Sequence, residues 1–223
     1  MKYRLKYIKT DNLVFISHLD ILKVIQRAFR RANVDLEHSK GFNPHPKVHF
    51  APPLPLFTSS MGEYMDVETK EDFKPEELLK RLNKVLPKNL CLIDAKKLED
   101  GAKSLGKSLD CALYRITFDN LYCEDVFVLA KRVQDFINES LELSITKTNK
   151  KGREVTKNIK PSIFDFKCEV YDNKLIINTA LSLRTDEILS PGNLITVLKE
   201  QFEELRKTDN IKLEKKDTLL FSN

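Results

Sequence analysis

His18, His38, His45 and His49 are the four histidines of the 223-residue chain, and all of them lie between Phe15 and Leu56. Imidazole titrates near neutral pH, so each could act as a general base, a metal ligand or a proton-dependent cation. The stretch reads F-I-S-H-L-D, then a basic segment, then S-K-G-F-N-P-H-P-K-V-H-F-A-P-P-L-P-L. His18, at an expected helix start, and His45, after the Asn43-Pro44 turn, are the candidates for a catalytic base. Against that role, a single histidine near a helix start is more often a cap or a surface residue. A histidine metal site would need His18 or His38 beside one of the other two. In an extended segment His45 and His49 stand about 13 Å apart, too far to share an ion with bonds of about 2 Å. No metal or cofactor is expected from this pattern. With six glycines in all and no Gly-rich phosphate loop, nothing points to a nucleotide cofactor.

The same stretch suits an anionic partner better. From Pro46 the residues alternate as in a strand, with Pro46, Val48 and Phe50 on one side and His45, Lys47 and His49 on the other. That second set is a ladder fit for phosphate or a base edge. Gly41 permits a turn that a side chain would obstruct, Asn43-Pro44 directs its exit, and Phe42 and Tyr64 could stack on bases. Upstream, Ser17 and Asp20 have capping-box spacing. The helix they open places Ile21, Leu22, Ile25, Ala28, Phe29 and Ala32 on one face. Lys23, Arg27, Arg30 and Arg31 occupy the other face, with Asp20 its single acid. Lys2 to Lys9 alternates as a strand, with Arg4 and Lys6 opposite Tyr3, Leu5 and Tyr7. The candidate nucleic-acid-binding set is therefore Arg4, Lys6, Lys23, Arg27, Arg30, Arg31, Phe42, Asn43, His45, Lys47 and His49. A blander reading makes the helix a solvated face with snorkelling arginines, and pairs Asp66 and Glu68 across the sheet with Arg4 and Lys6.

Charge distribution sharpens this picture. The net charge is +5, yet residues 1–50 alone hold ten Lys and Arg against four Asp and Glu. A second basic segment, 146–167, holds seven basic residues against Glu154 and Asp165. Two such segments suit a polyanion, although a lysine-rich hairpin also serves as a solubilising edge, which is the reading preferred for the second. The four cysteines, Cys91, Cys111, Cys123 and Cys168, stand singly without zinc, cluster or disulfide spacing. No apolar run reaches membrane-spanning length and no leader pattern opens the chain, so no membrane association and a cytoplasmic location are expected.

These residues must be positioned by a fold whose element order can be read from periodicity. A strand at 2–9, the basic helix, extended pieces at 34–38 and 46–51, a strand at 63–69, a helix from Pro75 to about Leu86 and a strand at 90–97 form a β-α-β-β-α-β series. A strand at 113–118, a helix at 124–138, strand material at 141–148, 154–160, 163–170 and 174–183, a helix from Pro191 to about Arg206 and a strand at 212–221 repeat that order with one extra hairpin. The expected architecture is α+β: two tandem ferredoxin-like subdomains in two layers, residues 1–100 and 111–223, joined by a linker at 101–110.

The motifs F-I-S-H-L-D, R-A-F-R-R-A, S-K-G-F-N-P-H-P-K-V-H-F-A-P-P-L-P-L and S-S-M-G-E-Y-M-D-V resemble the radical-SAM-linked protein family of unknown function. Its members stand alone or are fused C-terminal to cobalamin-binding radical SAM proteins. The resemblance is specific over residues 1–70 and loose beyond 110. It implies work on RNA or the ribosome, with a cobalamin-binding radical SAM protein as possible partner, and carries no catalytic residues. The leading expectation is an RNA- or ribonucleoprotein-binding adaptor rather than an enzyme. The alternatives are a metal-independent endoribonuclease of the tandem ferredoxin-like type using a histidine, and a histidine-based metal site.

Overall fold

A computed structural model of the chain describes residues 1–148 and 152–221. Its elements are β1 (Lys2–Lys9), α1 (His18–Arg31), β2 (Val48–Phe50), β3 (Thr58–Glu68), α2 (Pro75–Asn83), β4 (Leu90–Lys97), α3 (Leu105–Ser108), β5 (Leu109–Phe118), α4 (Val126–Glu139), β6 (Ser144–Thr148), β7 (Glu154–Asn158), β8 (Ile163–Tyr171), β9 (Lys174–Ser182), α5 (Pro191–Gln201), α6 (Glu203–Arg206) and β10 (Ile211–Leu220). This is a mixed α+β fold with mostly antiparallel sheet pairing and, among the described residues, six helices. Contacts divide the chain into two compact units, residues 1–109 with the C-terminal residues from Leu220, and residues 110–219. No helix among the described residues is long and apolar enough to cross a membrane.

In the first unit β1 lies between β4 and β3, and β2 pairs with the other edge of β3. All three pairings are antiparallel. The register sets Leu5 against Met65 and Tyr3 against Val67. Ile21, Ile25 and Phe29 of α1 and Leu78 and Leu82 of α2 pack with them into one buried cluster. Each such side chain contributes about 1.5–3 kcal/mol when withdrawn from water, so this cluster holds the two helices to the sheet.

Three expectations shift here. Residues 34–38 form no strand; they contribute single bridges, Leu36 to Thr69 and His38 to Pro46. The second helix ends at Asn83 rather than Leu86, because Pro87 disfavours helical backbone at Leu86 and the N–H groups of Val85 and Leu86 both turn back to the Leu82 carbonyl at 3.0 Å. The segment 101–110 is structured: Gly101 turns with φ +84°, α3 follows, and Leu105 and Leu109 are buried. The Phe221 N–H also donates to the Ser108 carbonyl at 2.9 Å.

In the second unit β5 lies between β10 and β9, with β8 on the outer side of β9. The β5–β9 and β8–β9 pairings are antiparallel, and β6 and β7 form a separate two-stranded hairpin. Leu129 and Val133 of α4, Leu194 and Leu198 of α5, and Ile116, Phe118, Leu175 and Ile177 of the sheet are buried. The helix expected from Pro191 to Arg206 breaks at Phe202, whose backbone is extended (φ −118°, ψ 115°). Arg206 stabilises the break by donating from Nε to the Lys199 carbonyl at 3.0 Å and from its terminal nitrogen to that of Glu200 at 2.8 Å, satisfying acceptors that a helix end otherwise leaves to water.

Candidate functional site

The α1 N-terminus is built as its spacing requires. The Ser17 hydroxyl accepts from the Asp20 N–H at 3.2 Å and donates to the Asp20 carboxylate at 2.7 Å. That hydroxyl, with Lys23 beyond it, holds the Asp20 carboxyl below its usual range. Ile21, Ile25, Ala28 and Phe29 are buried, which leaves Lys23, Arg27, Arg30 and Arg31 on the exposed side. They are not equivalent. Lys23 lies 3.4 Å from Asp20, and Arg31 reaches across to donate to the Val85 carbonyl at 2.7 Å, bracing the turn after α2.

Beyond α1 the chain forms a hairpin-like loop anchored to the end of β3. The Glu37 N–H donates to the Glu68 carbonyl (2.8 Å), the Glu68 N–H to that of Lys47 (3.1 Å), and the Lys47 N–H to that of Glu37 (2.8 Å). Nearer the tip, the Ser39 N–H donates to the His45 carbonyl at 2.8 Å and the His45 N–H to the Ser39 hydroxyl at 3.0 Å. Lys40 to Pro44 project past this last pair, and every one is exposed. Gly41 has φ +129° with open space where a Cβ would stand, a backbone that side-chain-bearing residues adopt at a cost. Phe42, next to it, is fully exposed. The structure thus brings Phe42, Asn43 and His45 together at one tip.

The His45–Lys47–His49 ladder does not form as one strand face. The Val48 N–H donates to the Pro46 carbonyl at 2.9 Å, a three-residue turn centred on Lys47 that confines extended pairing to Val48–Phe50. Lys47 is half-buried and meets Glu68 at 2.6 Å; Glu68 raises the lysine's pKa, and Lys47 lowers that of Glu68. His49 is exposed and opposite Asp66. Asp66 in turn is opposite Arg4. Arg4 holds it with two hydrogen bonds of 2.8 and 3.0 Å, with side-chain exposures of 11% and 2%, and donates further to the Lys103 carbonyl at 3.1 Å. Lys6 lies 5.5 Å from the centre of the Tyr64 ring. The expected basic sheet face is therefore largely neutralised: Arg4 is spent on Asp66 as the blander reading has it, whereas Glu68 takes Lys47 and not Lys6.

His18, the first residue of α1, is half-buried with its ring edge-on to Phe50 at 5.1 Å. Burial lowers its pKa, Lys9 lowers it further and Glu63 opposes both, which favours the neutral imidazole. Around it lies a group of polar residues to which motif and periodicity assign no role. Lys9, Ser60 and Glu63 are all buried. The Ser60 hydroxyl donates to Glu63 at 2.7 Å and the Lys9 ammonium to the Ile16 carbonyl at 3.2 Å. Burial lowers the Lys9 pKa against the pull of Glu63, and burial with Glu63 raises that of Tyr7 well above its ordinary value. Ser60 and Glu63 lie in the S-S-M-G-E-Y-M-D-V motif, but no local pattern joins them to Lys9, which the register of two strands brings opposite Ser60.

A shallow cleft of about 140 Å³ lies beside the loop, with Gln26, Arg30, Asp35, His38 and Lys70 supplying its polar groups, Lys70 lying 3.9 Å from Asp35. Among the described residues no three His, Cys, Asp or Glu side chains come together as a metal site. The four cysteines are free thiols; burial pushes that of Cys168 up to about 12.

The chain is thus an α+β protein with an anchored, aromatic-tipped loop beside a basic helix. The chain belongs to the family described as "Uncharacterized protein conserved in bacteria (DUF2344)", whose model matches residues 2–191. No curated protein matches it. It is weakly similar to two solved structures. One is an unknown protein from Galdieria sulphuraria, 10% identical over 99% of this chain and 98% of that one, with a TM-score of 0.30. The other is a putative glycine cleavage system transcriptional repressor, 10% identical over 100% and 98%, with a TM-score of 0.23. Neither likeness is strong enough to carry an argument.

Proposed function

We propose that this chain is an RNA- or ribonucleoprotein-binding adaptor of the cytoplasm that works beside a cobalamin-binding radical SAM protein in RNA or ribosome maturation. Phe42 carries the reading. A fully exposed aromatic ring on a loop pinned by backbone hydrogen bonds is costly to leave in water and already organised for stacking on an unpaired base, an interaction of about 1–3 kcal/mol. Arg27 and Arg30, exposed on α1, supply positive charge for phosphates, and Lys40, Asn43 and His45 are exposed on the same loop as the ring. The partner rests on the motif resemblance over residues 1–70. We also read each unit as ferredoxin-like: the strand orders β4-β1-β3-β2 and β10-β5-β9-β8 both set the first strand of a β-α-β-β-α-β series between its fourth and third, which supports a tandem arrangement with the β6–β7 hairpin inserted in the second.

RNA crosslinked to the protein in cells is recovered and sequenced, and the enriched fragment is titrated by fluorescence anisotropy against salt. Arg27→Glu with Arg30→Glu is expected to weaken binding and to flatten the log–log salt dependence by about 0.7 for each phosphate no longer neutralised. Unchanged affinity and slope in the folded variant would remove the proposal's basis. A second reading, metal-independent cleavage, has one point in its favour: burial lowers the His18 pKa, favouring the neutral form a general base requires. Cleavage of that same RNA, abolished in His18→Gln with binding retained, would establish it.

A further inference from the structure

The basic hairpin β6–β7 has two unlike faces. The register opposes Ile145 with Lys157 and Lys147 with Val155, so these four side chains share one face. The other face carries Ser144, Thr146, Thr148, Glu154, Thr156 and Asn158, with the Thr146 and Thr156 hydroxyls 2.9 Å apart. A solubilising edge would carry its lysines on an outer face and have little use for the apolar residues between them. Here the apolar-and-lysine face looks onto a groove of about 390 Å³ closed on its far side by residues 188–193. Ile145, Ile159 and Leu189 form its floor and are at most 8% exposed, whereas Val155 and Ile188 on its walls are 51% and 42% exposed. Val155 and Ile188 thus leave apolar surface exposed at the groove.

Polar groups at the rim add a sign. Lys147 donates to the side-chain oxygen of Asn193 at 2.6 Å, and Lys157 to the backbone carbonyl of Asp186 at 3.2 Å. Both acceptors are uncharged, so neither ammonium is neutralised by the bond it makes. Asn193 belongs to the first turn of α5, where the helix dipole also favours negative charge. A volume of this size, apolar lining and a few convergent polar groups are the attributes of a small-molecule site. An incoming carboxylate would replace two neutral acceptors with an anionic one, adding ion-pair attraction to bonds whose donors are already charged. We propose that this groove binds a small soluble amphiphile, an aliphatic or aromatic body lying on Ile145, Ile159 and Leu189 with its carboxylate held between Lys147 and Lys157.

The test uses the full chain labelled at isoleucine δ1-methyl groups and titrated with decanoate, with decanol as the uncharged control, while NMR shifts are followed. Decanoate is expected to shift Ile145, Ile159 and Ile188 saturably and to bind more tightly than decanol. Lys147→Met with Lys157→Met keeps the aliphatic stems and is expected to weaken decanoate about tenfold for each of the two charged hydrogen bonds lost, without affecting decanol. Val155→Asp, at an exposed position, is expected to weaken both. Three results would overturn the proposal: no saturable shift, equal binding of the two ligands, or wild-type decanoate binding by the lysine pair variant. Lysine-dependent sedimentation with phosphatidylglycerol vesicles in the absence of decanoate binding would also overturn it, assigning the groove to a lipid surface.

Discussion

The loop at 37–50 and the hairpin at 144–158 are both basic, both bent back on themselves and both tied by backbone hydrogen bonds, yet their charges end in opposite circumstances. Beside the first, β3 offers Asp66 and Glu68, which take Arg4 and Lys47. In the second, Lys147 and Lys157 reach an amide oxygen and a backbone carbonyl. A lysine against a carboxylate is already satisfied, while one on a neutral acceptor keeps its attraction for an anion. Counting basic residues favours the hairpin, with five Lys and Arg against two in the loop, but only the partner each side chain meets tells which charges are already satisfied. The first segment is left to work through Phe42 at its tip and the arginines of α1, the second through the groove behind its lysines.

The comparison can be broken at the buried pair. Asp66→Ala leaves the Arg4 guanidinium, 11% exposed, without its carboxylate, and removing one partner of a buried pair costs about 3–5 kcal/mol. Urea unfolding should show that loss; a variant as stable as the parent would mean the charge escapes to water and the sheet face is open after all. Next in size, Phe42→Ala should weaken binding of the recovered RNA by about 1–3 kcal/mol while leaving the unfolding midpoint where it was, since the ring touches solvent. A stability loss without an affinity loss would make the tip a packing element.

A smaller effect belongs to His18. Its pKa is lowered in the fold, so below the ordinary histidine value of about 6.5 the unfolded chain takes up the proton first and stability falls as pH falls through the folded value. Thermal melts across that window should show a slope that His18→Gln flattens; an identical slope in the variant would assign the proton to another group. The smallest change is expected for Lys47→Ala. With its ammonium already on Glu68, RNA affinity should be almost unaltered from acid to neutral pH, and a large loss would show that RNA displaces the carboxylate.

Much of the molecule was legible in residue order. Ser17 and Asp20 announced the helix that begins at His18, the spacing of Ile21, Ile25, Ala28 and Phe29 announced the face it buries, and Gly41 with Asn43-Pro44 announced a projecting turn. These are interactions between residues within a turn or two of each other, so the pattern needed to detect them is local. Tertiary structure decided the rest. Whether Glu68 would meet Lys6 or Lys47 depends on strand order and register, and Lys9 with Ser60 and Glu63 becomes a buried polar group only when β1 lies against β3. The break at Phe202 and the groove beneath Lys147 and Lys157 likewise arise from packing between segments far apart in the chain. Periodicity assigns a side chain to a face of its own element; what that face meets is set by the packing of another.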